Sequence, residues 1–219
     1  MRSHTPVLFA LLLAALCVLA SNGALPIAKA VAQDASQASA AALVAEVRRS
    51  FTIDGKPIPP EIFRDFGDGD MADSGAIWVT IDAAAAIGSN LYYDEIKQDG
   101  STVSQTKRGP NNIYLEKTDY SFCGTTDNGL IVILASYNGG GSGIFETLHI
   151  VDVAAARSID INGEVYQRIN LTNVRSVILG DRWDGDIKIN KNDIAIITTK
   201  TGPADDKGRP PVTITATRP

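Results

Sequence analysis

Asn128-Gly129-Leu130-Ile131-Val132-Ile133-Leu134 sets a turn dipeptide directly before an unbroken apolar run, and its reading decides the fold. Asn-Gly favours a type I′ hairpin turn, because both central residues must take positive φ. The run behind it is short, rich in β-branched residues and bounded by turn residues, which marks a strand and not a helix. A strand covered on one face would alternate apolar with polar residues. Ile131 to Leu134 does not alternate, so the strand is expected at the centre of a sheet with both faces covered. Two packed sheets, or a sheet with a helix laid on it, would supply the two covers.

The same signals recur on either side of this strand. Ile113–Thr126 meets Leu130–Tyr137 across Asn128-Gly129, and Leu91–Lys97 meets Ser101–Lys107 across Asp99-Gly100. Ile144–Val153 follows the glycine loop Asn138–Gly143, and Ile159-Asp160-Ile161 turns at Asn162-Gly163 into Val165–Leu171. Ile187–Asn190 and Ile194–Thr199 flank Lys191-Asn192-Asp193, Val212–Thr217 closes the chain, and Ile77–Ile81 opens the series. Successive hairpins of this kind predict sequential antiparallel pairing. The expected fold class is mostly β: an antiparallel, hairpin-rich sandwich or open barrel with a short N-terminal helix. A closed propeller needs more four-stranded blades than this length accommodates. Thr201–Pro211 reads as an exposed loop ahead of the last strand.

Upstream of the strands, Arg2 precedes the apolar run Val7–Ala20, which is too short to span a bilayer comfortably and has the length of a signal-peptide core. Ala30-Val31-Ala32 is the expected cleavage site, with a cut after Ala24 the alternative. Residues 1–32 are therefore expected to be a signal peptide, 33–50 an Ala/Ser-rich helix or tether capped by Ser36 or Ser39, and 51–219 a single β-rich domain. The expected location is periplasmic or secreted, with no stable membrane span once the leader is gone. Phe51-Thr52-Ile53 leads into an Asp54-Gly55 turn, Lys56–Pro60 must be extended around its prolines, and Glu61–Phe66 has room for one helical turn.

Cutting after Ala32 leaves 187 of the 219 residues, removes two of the 20 basic residues and none of the 25 acidic ones, and takes the net charge from −5 to −7. An acidic chain of this kind is no nucleic-acid coat. Only Cys123 and His149 survive from their residue types, which excludes an intramolecular disulfide and a Cys/His zinc site within one chain. Cys123, set in Tyr120-Ser121-Phe122-Cys123-Gly124, is expected to be a buried, inert thiol. Gly141-Ser142-Gly143-Ile144 departs from a nucleophile elbow at Ile144 and joins two strands, so it reads as a hairpin loop.

Two stretches share the pattern D-x-x-D-G-D: Asp65–Asp70 and Asp181–Asp186. Carboxylates so spaced can converge on Ca²⁺, which takes six to eight oxygens. Asp65, Asp68, Asp70, Asp181, Asp184 and Asp186 are the candidate metal ligands, against the plainer reading that Asp-Gly pairs make and cap turns. No cofactor is expected otherwise. Trp183, with Arg182 beside it, is the candidate ligand-binding pair, its ring offered to a flat ligand such as a sugar and extended by Trp78, Tyr92 and Tyr93. The expected function is that of an exported, non-catalytic β-rich binding or interaction protein whose partner is a saccharide, peptide or envelope component. The alternative is a small exported hydrolase using carboxylates near the Asp-rich turns.

Overall fold

The computed structural model describes residues 38–66, 79–88, 93–201 and 210–218. The chain divides into two compact units, 1–41 and 42–219. Of the first, residues 38–41 alone are described, and they are helical. The expected leader, the first D-x-x-D-G-D stretch beyond Phe66, Trp78, Tyr92 and most of Thr201–Pro211 lie outside the described residues. Every strand of the fold belongs to the second unit.

Helix α1 covers residues 38–50, so Ser39 lies within the helix and does not cap it. Strands β1 (Thr52–Ile53) and β2 (Lys56–Pro57) form the small hairpin expected at Asp54-Gly55, both of which take positive φ, 51° and 72°. Pro59 and Pro60 then start a single turn, α2 (Ile62–Asp65), held by Ile62 N–H to Pro59 O and Phe63 N–H to Pro60 O. Strand β3 (Thr80–Asp82) runs into a six-residue helix, α3 (Ala83–Gly88), a run of alanines that carried no helix expectation.

From there the chain is a meander: β4 (Lys97–Asp99), β5 (Thr102–Arg108), β6 (Tyr114–Thr125), β7 (Ile131–Asn138), β8 (Phe145–Ile159) and β9 (Val165–Asp181). With β3 these form one antiparallel seven-stranded sheet in the order β3-β9-β8-β7-β6-β5-β4. Strand β7, with its four unbroken apolar residues, is the middle strand. A second sheet holds β10 (Trp183–Asn190), β11 (Asp193–Thr201) and β12 (Val212–Thr215) in that order. The fold is mostly β and sandwich-like, and the large sheet does not close into a barrel.

Both covers of β7 are present. On one face Val132, Leu148, Ile150 and Leu179 of the large sheet pack with Trp183, Ile194, Ile196 and Ile214 of the small one, and all are buried. Cys123 packs against this cluster, half-buried, and burial raises its thiol pKa. On the other face Ile131, Ile133, Val151, Val153 and Tyr120 are buried beneath the segment from α1 to α2. Phe51 and Phe63 place their rings 5.2 and 5.4 Å from Tyr120. Arg48 donates to Val153 O at 3.0 Å and Asn173 to Phe66 O at 3.4 Å, tying the segment to β8 and β9.

Turn positions follow the Gly signals, but the Asn-Gly turns are not type I′: Gly129 and Gly163 take positive φ while Asn128 and Asn162 do not, and the bonds Thr126 N–H to Leu130 O and Asp160 N–H to Glu164 O close three-residue loops. The β4–β5 loop is Gly100-Ser101, with Asp99 paired to Thr102, one residue later than Asp99-Gly100, because Gly at the first central position serves a II′ turn as well as Gly at the second serves I′. Strand β9 is 17 residues long and continues well past Leu171. Register shifts at Glu146/Thr147 and Ile150/Val151 on β8 let these two long strands stay paired.

Candidate functional site

The second D-x-x-D-G-D stretch is not a loop. Asp181 ends β9, Arg182 alone turns the corner at φ 50°, and Trp183 begins β10 in the other sheet. Asp181 accepts from Ile144 N–H at 2.8 Å, and Arg182 reaches the Ser142 carbonyl, so both anchor the glycine loop beside them. Along β10 burial alternates: Trp183 faces inward, while Asp184 and Asp186 face solvent, with Asp186 3.3 Å from Lys188. The side chains of Asp181, Asp184 and Asp186 are thus spread along a bend and an outer edge. Among the described residues, no three His, Cys, Asp or Glu side chains group closely enough to hold a metal. Asp68 and Asp70, with the side chain of Asp65, lie outside the described residues.

Trp183 corrects a further expectation. It is 8% exposed, packed in the inter-sheet core, with Nε1 donating to Thr198 Oγ1 at 2.9 Å. It presents no stacking face. Tyr93, expected to extend that platform, belongs to a different constellation on the opposite face of the large sheet.

That constellation surrounds Glu116 on β6. Its Oε1 accepts from Tyr93 at 2.8 Å and from Arg64 at 3.2 Å, with Lys107 Nζ at 3.3 Å; its Oε2 accepts from Tyr137 at 3.0 Å. Sheet register explains the gathering: Lys107 on β5 pairs with Glu116, and α2 brings Arg64 across from above. Burial raises the carboxyl's pKa, but the bonds from Tyr93, Tyr137 and Lys107 and the charge of Arg64 outweigh it and hold Glu116 below its ordinary value. Tyr93 is pushed up to about 12, by burial first and by Glu116 second.

Beside this cluster a cavity of about 540 Å³ opens on the sheet. Among the described residues it is lined by Phe63 and Arg64 of α2, Thr118 of β6, Ala135, Ser136 and Tyr137 of β7, Phe145, Thr147 and His149 of β8, and Ile178 of β9. Phe145 and Ile178 are more than half exposed and form an apolar rim, whereas Thr118 and His149, each 2% exposed, form the floor.

The floor is polar and partly unsatisfied. Among the described residues, Thr118 Oγ1 is buried with no hydrogen-bond partner, and so is Nε2 of Gln105, its cross-strand neighbour. Leaving such a group bare costs on the order of 1–3 kcal/mol. Asn173 donates to Ser176 Oγ at 2.9 Å, and His149 Nδ1 lies 2.9 Å from the same oxygen. The imidazole fits that contact in either neutral tautomer, because a hydroxyl oxygen has two lone pairs. Burial lowers its pKa to about 4, so it is neutral at ordinary pH. Phe63 and Phe66 pack their rings 5.2 and 5.7 Å from it.

No known family, curated protein or solved structure matches this chain. The functional reading therefore rests on the chain's own geometry. Arg182 and Trp183 belong to the sheet corner, and the cleft is built from residues that carried no site expectation. One signal for it was present: Glu116, Thr118 and Tyr120 share strand parity, which puts two polar side chains on the face that Tyr120 buries.

Proposed function

We propose that this chain is an exported, non-catalytic binding protein and that its ligand is a small molecule seated in the cleft between α2 and the seven-stranded sheet. The observation that carries this reading is the buried, unpartnered Thr118 hydroxyl in the floor of a 540 Å³ cavity with an apolar rim. Ligand sites combine a largely apolar lining with a few convergent polar groups, and their volumes run from about 300 to 1,000 Å³. Export is supported by the apolar run Val7–Ala20 and the small residues behind it. Among the described residues no helix is long and apolar enough to cross a membrane.

The uncharged fluorophore N-phenyl-1-naphthylamine tests the site. Its emission should rise saturably with a Kd on the order of 100 µM or tighter, by ligand-efficiency arithmetic. Ala135→Phe places a ring in the cavity floor and should weaken binding roughly tenfold or more. Thr147→Phe, nearer the rim, does the same where the floor variant fails to fold. Absence of saturable binding, or binding indifferent to a folded cleft-filling variant, refutes the proposal. Export is checked separately: protein recovered from its native host should begin between Leu25 and Gln33, and a chain still starting at Met1 excludes leader removal.

A further inference from the structure

Among the described residues the cleft offers donors and no free carboxylate. Arg64 is the one charged residue lining it among the described residues. Its Nη1 is shared by Tyr93 and Glu116, at 2.9 and 3.2 Å, and among the described residues no partner engages Nε or Nη2. The guanidinium is therefore held in place through one nitrogen while its Nε–Nη2 edge keeps the parallel pair of donors that matches a carboxylate. The acceptor oxygens of Glu116 are taken up by Tyr93, Arg64, Lys107 and Tyr137. The buried, unpartnered Thr118 hydroxyl adds a further donor at the floor. Phe63, Ala135, Phe145 and Ile178 supply apolar surface around them.

We infer that the ligand is an amphipathic monocarboxylate, its head group paired with the Nε–Nη2 edge of Arg64 and its apolar body lying between Phe63 and the rim formed by Phe145 and Ile178. This rests on the cleft being the binding site and adds the chemical class of what it binds. Arg64 acts as the specificity-determining residue, because an uncharged or cationic head group would either leave that edge unpaired or be repelled by it. A short fatty acid and the C-terminus of an apolar peptide share this chemistry.

The test is displacement of bound N-phenyl-1-naphthylamine from the full chain by octanoate, 1-octanol and octylamine. Octanoate should displace the fluorophore roughly tenfold better than 1-octanol, and octylamine worst, because charge-assisted bidentate bonding is the stronger kind. The quantity read in the variants is the octanoate-to-octanol ratio, which should fall to about one in Arg64→Gln and stay above one in Arg64→Lys, since lysine keeps the charge and loses the fork. Circular dichroism establishes that each variant is folded, and Arg64→Lys keeps the ion pair to Glu116 should the glutamine variant not fold. Acetyl-Ile-Leu run beside octanoate distinguishes the two sources by which displaces more tightly. Equal displacement by octanoate and octanol, or a ratio unchanged in either folded Arg64 variant, overturns the inference while fluorophore binding leaves the cleft intact as the site. No fluorophore binding at all fails the site itself.

Discussion

Replacing Gly185 by alanine should lower the stability of the folded chain by about 3 kcal/mol, the upper end for forcing an extra group into a filled core. A Cβ at this position would stand 2.3 Å from the Ile197 carbonyl oxygen on the paired strand and 2.3 Å from Cζ2 of Trp183. The first neighbour is backbone and the second is a ring sealed between two sheets, so neither yields cheaply. Opposite Asp184 and Gly185 the partner strand β11 carries one extra residue, Thr199, so the pairing is already irregular at this point. At about 2–4 °C per kcal/mol for a chain of this size, the melting temperature should drop by roughly 10 °C. Gly141→Ala is the matched control: nothing lies within 4 Å of its added Cβ, and its stability should stay within about 0.5 kcal/mol of the parent. A Gly185→Ala chain that melts with the parent would mean that Trp183 does not pack as described.

The second large effect is concealed by compensation. Burial lowers the pKa of His149 to about 4, from 6.5 in the unfolded chain. Between those values the unfolded state binds the extra proton, so this residue makes stability rise with pH. Glu146 behaves oppositely: burial, aided by Asp119, Asp181 and Asp184 and opposed by the Trp183 backbone, raises its pKa to about 7 from 4.5. There the folded state binds the extra proton, so stability falls as pH rises through that window. The two slopes oppose each other between pH 4.5 and 6.5, the Glu146 one weakened by solvent screening, so the native profile should be shallower there than His149 alone would make it. Glu146→Gln removes the falling arm. It should stabilise the protein at pH 8, by no more than about 1 kcal/mol once screening of this partly exposed side chain is counted, and expose a profile that climbs from pH 4 to 6.5. His149→Gln should be less stable throughout and expose the descending profile. Denaturant midpoints across pH 4–8 decide it, and parallel profiles for all three proteins would refute both assignments.

Much of the fold was legible because it depends on local chemistry. An apolar run without alternation, bounded by Asn128-Gly129, requires two covered faces, and β7 has them. The ends of β9 were not legible in the same way. Residues 172–181, past the expected strand end at Leu171, interleave Thr172, Asn173, Arg175, Ser176 and Asp181 with apolar positions and give no clean alternation. The strand persists there because β8 runs alongside it and because Asn173 and Ser176 turn inward to His149. The acidic corner misled for a related reason. Asp184-Gly185-Asp186 resembles a bending loop, yet its glycine exists to admit a tryptophan ring, a requirement set by a partner strand and invisible in the local spelling. The cleft was hidden by distance: Arg64 and Glu116 stand 52 positions apart, and nothing near either announces the other.

The meander has a consequence in time. Strands β4 to β8 each pair with their immediate successor, so that part of the sheet can assemble through short loop closures. The segment from α1 to α2 must instead reach partners about a hundred positions away, as Arg48 does to Val153 and Phe66 does to Asn173. It has no surface to settle on until β6, β8 and β9 are side by side. The wall of the cleft that carries Phe63 and Arg64 is therefore expected to dock after the sheet has formed. By the same reckoning it is among the first to lift away in transient partial opening, and a carboxylate held there would lock the door behind it.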